Sequence, residues 1–247
     1  MKRNKSTKDF HEYLLATTYM LMSILMAHPS VFPVVGNLTL RNEGHKMRNS
    51  LKRIGIPTPV LISLTDDAII EEFVEGGNLY NAFGVEHEKE DSIRVLAFQA
   101  GILTARMHNA GYVFTDNKSQ NYLVTIGNRL VRTDLGFINK TNSIFAQSMD
   151  IASFLASVID FGHSRYEKIE EGYYGGYRSE ASRGFPYLSI ILRNILSLGF
   201  TSNTSTMLQN ISKRSKIQTT KENQMAEKKE EEEHEEKSRR SEGLDRR

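Results

Sequence analysis

Apolar and polar positions along this chain follow two different periods, which predict helices in some segments and strands in others. The clearest helical pattern covers residues 92–109, where apolar side chains recur every three or four positions. The predicted buried stripe of this helix consists of Ile93, Leu96, Ala97, Ala100, Leu103 and Met107. Residues 60–64 and 69–74 instead alternate about the pair Asp66-Asp67, as two antiparallel strands would. The pattern therefore predicts an α+β fold.

Weaker patterns predict the remaining elements. One or two short strands are expected within residues 31–40, which are apolar and β-branched but interrupted by Pro33 and Gly36. A helix is expected at residues 43–54, because Met47, Leu51 and Ile54 share a face and Gly55 follows. Two C-terminal helices are expected at residues 149–161 and 185–198, joined by a polar segment rich in Tyr and Gly at residues 170–184.

The C-terminal segment differs in composition from the rest of the chain. Residues 213–247 hold almost no large apolar residue and include the run EKKEEEEHEE. Such a segment cannot bury enough surface to offset the entropy of ordering it. It is predicted to be disordered or a lone solvated helix, acting as a solubility or interaction tail.

Composition limits the chemistry. The 247 residues contain no cysteine, which excludes disulfides, thiolate catalysis and cysteine metal sites. The net charge of +2 does not demand a nucleic-acid partner, and the seven histidines show no metal-ligand spacing.

The longest apolar segment, residues 13–27, resembles a membrane span only in part. Residues 13–27 are shorter than the roughly 18 to 20 apolar residues that a span requires, and they contain Thr, Ser and Met. The basic residues 1–8 precede them as in a signal peptide, but no small-x-small cleavage site follows. We therefore expect a buried helix here and no transmembrane span.

The most informative segment is residues 112–137. It offers a loop with Asp116, Lys118 and Asn121, then two short strands at residues 122–125 and 130–133 around the turn Gly127-Asn128, and then Asp134-Leu135-Gly136. Phosphoryl transfer needs a carboxylate that orients the attacking hydroxyl and oxygen ligands that hold magnesium. An alternative is that Asp116, Asn121 and Asp134 are only turn-forming residues.

The order of these residues resembles the catalytic loop and metal-binding motif of the protein-kinase superfamily, D-x-K-x-x-N followed by D-x-G. The separations, five residues from Asp116 to Asn121 and thirteen from Asn121 to Asp134, are also similar. The resemblance implies a two-lobed fold with a reduced N-lobe and a mainly helical C-lobe that binds ATP and Mg. It also implies that Asp116 is the catalytic base, that Lys118 neutralises the γ-phosphate, and that Asn121 and Asp134 are the metal ligands. Implied boundaries are an N-lobe at 1–79, a C-lobe at 80–205 and the tail at 206–247.

A second motif, Asp160-Phe161-Gly162, matches the usual kinase spelling D-F-G more closely than Asp134-Leu135-Gly136 does. It follows a helical pattern, whereas a metal-binding Asp in such a fold must follow a strand beside the catalytic loop. Gly162 is interpreted as a helix stop, and Asp160 is not expected to bind metal.

Further segments resemble the small atypical kinases of the type found in the KEOPS tRNA-modification complex, and beyond them RIO-type and lipopolysaccharide-type kinases. Residues 52–59 (KRIGIPTP) resemble the end of the family's C-helix, and residues 71–76 (EEFVEG) its hinge. The resemblance implies that backbone groups of Glu72 and Val74 meet adenine and that Asp150 braces the catalytic loop. About sixteen residues separate Asp134 from Asp150, too few for the platform on which conventional kinases present a peptide. A partner complex, with a tRNA-related assembly as one candidate, is implied alongside a protein substrate.

The departures from the family lie near the N-terminal end. There is no G-x-G-x-x-G loop and no V-x-K strand to hold the α- and β-phosphates. Glu43 is interpreted either as the C-helix Glu at the nucleotide site or as an ordinary first-turn acid. Arg41, Lys46 and the basic residues 1–8 are candidate substitutes for the missing lysine of the V-x-K strand. Phe114 stands where the family has His.

The sequence thus predicts a cytoplasmic, ATP-dependent atypical serine/threonine protein kinase-like phosphotransferase or ATPase that uses Mg. One alternative is a catalytically weak pseudokinase that binds a nucleotide or a partner. Another is a KEOPS-like accessory that acts near tRNA.

Overall fold

The computed structural model describes residues 2–3, 8–65, 68–85 and 90–200, which all fall within one compact unit, Met1–Thr201. These residues form helices and small antiparallel sheets, so the predicted α+β class is confirmed and agrees with a kinase-like fold. The tail predicted at 206–247 lies outside the described residues. The lobe boundary at residues 79 and 80 stays a prediction.

The N-terminal sheet has three strands in the order β1-β3-β2. Strands β2 (Leu61–Leu64) and β3 (Ala68–Glu71) form the predicted antiparallel pair, and β1 (Lys2–Arg3) pairs with the other edge of β3. The sequence had offered no strand at β1. Basic residues near the N-terminus therefore lie at the edge of this sheet.

Three helices accompany the sheet: α1 (Lys8–Leu25), α2 (Asn37–Asn42) and α3 (His45–Arg53). The helix predicted at 43–54 is confirmed as α3, which buries Leu51 and is followed by Gly55 at a φ of 74°. The strands predicted within residues 31–40 were wrong, because this segment contains the start of α2. Gly36 begins the turn by accepting hydrogen bonds from the backbone N–H and the hydroxyl of Thr39.

Helix α1 is only partly buried, which corrects the expectation of a buried helix. Its inner face carries Ala16, Tyr19 and Ser23, whereas Leu21 and Leu25 are exposed. None of the helices in the described ranges is long and apolar enough to cross a membrane.

The second sheet has the order β4-β6-β7 and contains the hairpin predicted from the sequence. Its strands are β4 (Gly76–Asn78), β6 (Tyr122–Thr125) and β7 (Leu130–Arg132). A short helix that the sequence did not predict, α4 (Leu79–Gly84), follows β4. Strand β5 (Tyr112–Val113) pairs with β8 (Asn139–Lys140). The loop between β5 and β6 is therefore held by a strand at each end.

The C-terminal half is mainly helical and consists of α5 (Glu90–Asn109), α6 (Ile144–Ala156), α7 (His163–Glu180) and α8 (Ser189–Phe200). All six residues of the stripe predicted on α5 are buried. The polar segment predicted at 170–184 was wrong, because most of it belongs to α7. Gly162, at a φ of 76°, is the N-cap of α7 and not the stop of the preceding helix.

Helices α5 and α7 pack closely because glycines lie at their contact. A Cβ on Gly176 would overlap the carbonyl oxygen of Phe98, and one on Gly101 would overlap that of Tyr173. The glycines that suggested a loop in the sequence therefore allow the backbones of α7 and α5 to pack closely. The buried face of α7 carries Tyr166, Ile169, Tyr173 and Tyr177 at helical spacing.

We expect Gly176→Ala to destabilise the protein by about 3 kcal/mol, because the new methyl meets backbone atoms that cannot rotate away. The matched control is Gly175→Ala, whose Cβ would lie 3.5 Å from the Phe98 ring, an ordinary contact distance. The control should be neutral or stabilising by roughly 0.5–1 kcal/mol, since alanine is the better helix former. Urea unfolding of both variants measures the difference, and equal stabilities would contradict the close packing.

Candidate active site

The loop between β5 and β6 brings together three of the residues predicted for catalysis. The Lys118 Nζ lies 2.7 Å from Oδ1 of Asp116. The side-chain amide of Asn121 donates from Nδ2 to the Asp116 carbonyl at 2.9 Å and to Oδ2 at 3.2 Å. The carboxylate of Asp116 is therefore held by a neighbour on each oxygen while remaining about a quarter exposed, at 27%.

These contacts also fix the orientation of the Asn121 side chain. Both groups that face Nδ2 are acceptors, so the nitrogen must point toward Asp116 and the oxygen must point away. The amide oxygen Oδ1 makes neither of these contacts.

Asp134 lies just beyond the end of β7. The preceding residue, Thr133, donates its backbone N–H to the Asn121 carbonyl at 3.0 Å, which aligns the end of β7 with the catalytic loop. Asp134 is half-buried and has a φ of 57°, a conformation that is uncommon for residues other than glycine. Asn121 thus lies at the end of the predicted loop, and Asp134 lies just after the predicted hairpin. Their roles as metal ligands stay predictions.

The loop that carries Asp116 is held in place by Asp150 of α6, a fully buried carboxylate. It accepts hydrogen bonds from the backbone N–H groups of Phe114 at 2.6 Å and of Thr115 at 2.7 Å. Thr115 has a φ of 65°, which is strained for a β-branched residue and costs of order 1–3 kcal/mol. The two hydrogen bonds to Asp150 stabilise this strained turn next to Asp116.

A buried polar network extends from Asp150, and the contacts among its members were not predicted from the sequence. His108 lies between Asp150 Oδ2, at 3.2 Å, and the Tyr177 hydroxyl, at 2.8 Å. Asn117 donates to the Asp150 carbonyl at 3.1 Å and accepts from the Tyr122 hydroxyl at 2.6 Å. Burial raises the pKa of Tyr122 to about 12, so its hydroxyl remains a donor at neutral pH. His108 continues the buried stripe of α5 four residues after Thr104, and this spacing was the available signal.

Glu43 is buried directly before α3 and contacts the segment that follows β7. Its Oε1 accepts from the backbone N–H of Leu135 at 2.9 Å, and its Oε2 lies 3.2 Å from Nη2 of Arg48. Arg48 also pairs with Glu71 and is itself buried. The interpretation of Glu43 as an ordinary first-turn acid was wrong, because Glu43 lies outside α3.

Arg41 and Lys46, which the sequence offered as substitutes for the missing lysine of the V-x-K strand, are exposed.

The predicted hinge connects β3 to β4. The Glu72 N–H donates to the Val60 carbonyl at 2.9 Å. Within the part of the chain that the structure describes, the Glu72 carbonyl and the Val74 N–H have no hydrogen-bond partner. These two backbone groups are an acceptor and a donor of the kind that adenine requires.

Asp160 lies between α6 and α7, and no described strand leads into it. Its carboxylate accepts a hydrogen bond of 2.8 Å from the Tyr80 hydroxyl. Asp160 is therefore an exposed residue in the turn after α6, and not part of a helix that continues to residue 161 as predicted. The prediction that no strand leads into Asp160 agrees with the described residues.

The described residues contain no cluster of three or more His, Cys, Asp or Glu side chains that could hold a metal. Asn121 and Asp134 are a smaller, oxygen-based set. Such a set fits Mg²⁺, which takes one or two protein ligands and completes its shell with water and substrate phosphates.

No protein-family model matches the chain. It is 28% identical over 137 residues to the EKC/KEOPS complex subunit BUD32 of Encephalitozoon cuniculi and 22% identical over 135 residues to the probable serine/threonine-protein kinase BUD32 homolog of Archaeoglobus fulgidus. It is 26% identical over 126 residues to the probable bifunctional tRNA threonylcarbamoyladenosine biosynthesis protein of Methanoculleus marisnigri. The chain is a relative of the KEOPS-type atypical kinase-like proteins.

The similar regions cover 56%, 55% and 51% of this chain, respectively. They cover 65% and 64% of the two BUD32 proteins and 22% of the bifunctional protein. The chain thus spans less than two thirds of the curated relatives it matches. The resemblance inferred from the catalytic-loop motif is confirmed by these relatives.

Proposed function

We propose that this protein is an ATP-dependent atypical kinase-like enzyme that transfers the γ-phosphoryl group to a serine or threonine, or to water. The observation that carries the proposal is the cluster of Asp116, Lys118 and Asn121 in one loop. Asp116 would accept the proton of the attacking hydroxyl, and Lys118 would offset the charge of the γ-phosphate. The lysine reaches Asp116 now and is 39% exposed, so it is accessible to a phosphate.

ATP would bind between the hinge and this loop. The Glu72 carbonyl and the Val74 N–H would contact adenine, and Asn121 and Asp134 would hold Mg²⁺. The metal would supply charge neutralisation at the β- and γ-phosphates. Glu43 would act indirectly, because it holds the backbone of Leu135 next to Asp134.

The names of the relatives suggest where the enzyme works. Two are named for serine/threonine kinase activity or for the KEOPS complex, and one for tRNA threonylcarbamoyladenosine biosynthesis. The segment from Asp134 to Asp150 holds only β8 and the start of α6, which leaves little chain to present an extended peptide. We therefore propose action within a tRNA-modification assembly in the cytoplasm, with a partner protein as the substrate or regulator.

Magnesium-dependent nucleotide binding tests the site. Asp134→Ala should remove most of the gain in ATP affinity that Mg²⁺ gives, because a carboxylate ligand is lost. We expect at least a tenfold weaker Kd for MgATP, measured by calorimetry with and without Mg²⁺.

The control is Asp160→Ala, which removes a carboxylate from the competing D-F-G motif and leaves the proposed site intact. It should bind MgATP as the wild type does. If the Asp160 variant lost the metal dependence of ATP binding and the Asp134 variant kept it, the metal would bind at Asp160 and the proposed site at Asp134 would be contradicted.

A catalytically weak pseudokinase is the second candidate. It is favoured by the N-terminal region, where Glu43 pairs with Arg48 and the sequence offers no glycine-rich loop. Transfer of radioactive γ-phosphate distinguishes the two, since a pseudokinase would bind MgATP without measurable turnover.

A further inference from the structure

Arg132 is a fully buried cation to which the proposed reaction assigns no role. It lies on β7 opposite Tyr122, at 0% exposure. Its guanidinium carbon is 4.4 Å from the ring centroid of Phe114 and 4.9 Å from that of Tyr122. The cation is thus held between two aromatic rings, an arrangement that offsets only part of the cost of removing it from water.

The hydrogen bonds of this side chain are few. Nη2 donates to the carbonyl oxygen of Asp116 at 2.8 Å. Nε and Nη1 have no partner within the described residues. A buried guanidinium is normally surrounded by acceptors, and an apolar residue at such a position is often as stable or more so. Stability alone therefore does not account for an arginine here.

We propose that Arg132 is a positioning residue that fixes the proposed base, Asp116, through its backbone carbonyl. This inference rests on the proposed function of Asp116. The Phe114 ring forms one wall of the slot that holds the guanidinium. Phe114 and Arg132 are thus parts of one contact next to the loop that carries Asp116.

The contacts around Asp116 show how the positioning works. On the N-terminal side, Asp150 holds the N–H groups of Phe114 and Thr115. On the C-terminal side, the Asp116 carbonyl accepts from Arg132 and from Asn121. Because Arg132 precedes Asp134 by two residues, it links the loop that carries the base to the strand that leads to the metal ligand. Without Arg132, the Asp116 carbonyl keeps only the donors of its own loop, the Asn121 side chain and the Lys118 N–H, and loses its connection to β7.

The first readout is amide hydrogen exchange and needs no activity. The Lys118 N–H donates to the Asp116 carbonyl, and the Asn121 N–H donates to the Lys118 carbonyl. In Arg132→Met these two amides should exchange at least about tenfold faster, while the amides of α7 keep their wild-type rates. Arg129→Met is the matched control, because Arg129 is an exposed arginine of the same hairpin. It should change neither group of amides.

The second readout is turnover. Arg132→Met should lower kcat by roughly 10–100-fold, the loss expected when a reacting group is displaced by about 1 Å, and should leave the KM for MgATP within about threefold. In the background of Asp116→Asn it should cause no further loss, because Arg132 acts through that residue alone. If Arg132→Met does not fold, Arg132→Lys replaces it in both readouts, since it keeps the charge and removes the forked donor.

Uniform acceleration of exchange across the protein, or an equal fall of kcat with and without Asp116, would show a structural role only and would overturn the proposal. Unchanged exchange at Lys118 and Asn121 would overturn it as well. If the wild type and Asp116→Asn turned over at the same rate, the proposed function would be contradicted. The exchange measurement would still decide the role of Arg132.

Discussion

Replacement of Asp116 by asparagine should lower turnover by roughly 10² to 10⁴, the contribution of a well-positioned general base, while the Kd for MgATP stays within about threefold. The asparagine side chain has nearly the same shape but cannot take up the hydroxyl proton. In the proposed site, the side chain at position 116 would face the hydroxyl that accepts the phosphoryl group and not the nucleotide, so ground-state binding should persist. The separation of kcat from Kd is the specific expectation.

The loop should survive this substitution. The Asn121 contact to the Asp116 carbonyl involves the backbone and is retained. The ion pair with Lys118 is lost, but both side chains are partly exposed, at 39% and 27%, and such pairs contribute little to stability.

The measurement is phosphate release or γ-phosphate transfer at saturating MgATP, with affinity from calorimetry. Asp160→Asn provides the control, because it makes the same chemical change at a carboxylate that contacts Tyr80. The control should keep full turnover. Equal turnover in the wild type and Asp116→Asn would remove Asp116 from catalysis and favour the pseudokinase.

The hairpin that carries the candidate site could be predicted because its determinants are local. Strand β6 matches the predicted residues 122–125, and β7 ends one residue earlier than predicted, at Arg132. The turn between them contains Asn128 at a φ of 54°, a conformation that asparagine tolerates. Asp116, Asn121 and Asp134 lie within twenty residues of one another, so their spacing, together with the predicted helix and hairpin around them, identified the motif.

Helix α7 could not be predicted in the same way, because its stability depends on a distant partner. Its glycines lower helix propensity and resemble a loop signal when the segment is read alone. In the structure they allow the backbone of α7 to reach α5, as Gly176 does at Phe98. Tertiary packing overrides local propensity here.

The residues that hold the candidate site in place are also far apart in the sequence from the groups they contact. Arg132 and Asp116 are sixteen positions apart, and Asp150 is about thirty-five positions from the amides it holds. Glu43 meets Leu135 across ninety-two positions. The role of Asp150 was available only from the resemblance, and the pairing of Glu43 with Arg48 had no signal in the sequence. A spacing motif identifies groups that act on the substrate, whereas the residues that hold them become visible only in three dimensions.

The largest loss of stability is expected for Asp150→Ala. The substitution leaves the N–H groups of Phe114 and Thr115, and the His108 ring, without their shared acceptor in a fully buried site. Each unsatisfied buried donor costs about 1–3 kcal/mol, and loss of one partner of a buried charged contact typically costs about 3–5 kcal/mol. We therefore expect a loss of about 3–5 kcal/mol, which is a large part of the usual 5–15 kcal/mol of folding stability. Turnover should also fall, because the strained turn at Thr115 loses its anchor.

Ser148→Ala is the matched control for Asp150→Ala. Ser148 lies on the same helix, is fully buried, and has a hydroxyl without a hydrogen-bond partner among the described residues. Removal of that hydroxyl should change stability by less than about 1 kcal/mol, because no satisfied contact is broken. Urea unfolding of the two variants at neutral pH gives the comparison. If Asp150→Ala were no less stable than Ser148→Ala, the brace beneath the catalytic loop would contribute nothing, and the left-handed turn at Thr115 would need another source of stabilisation.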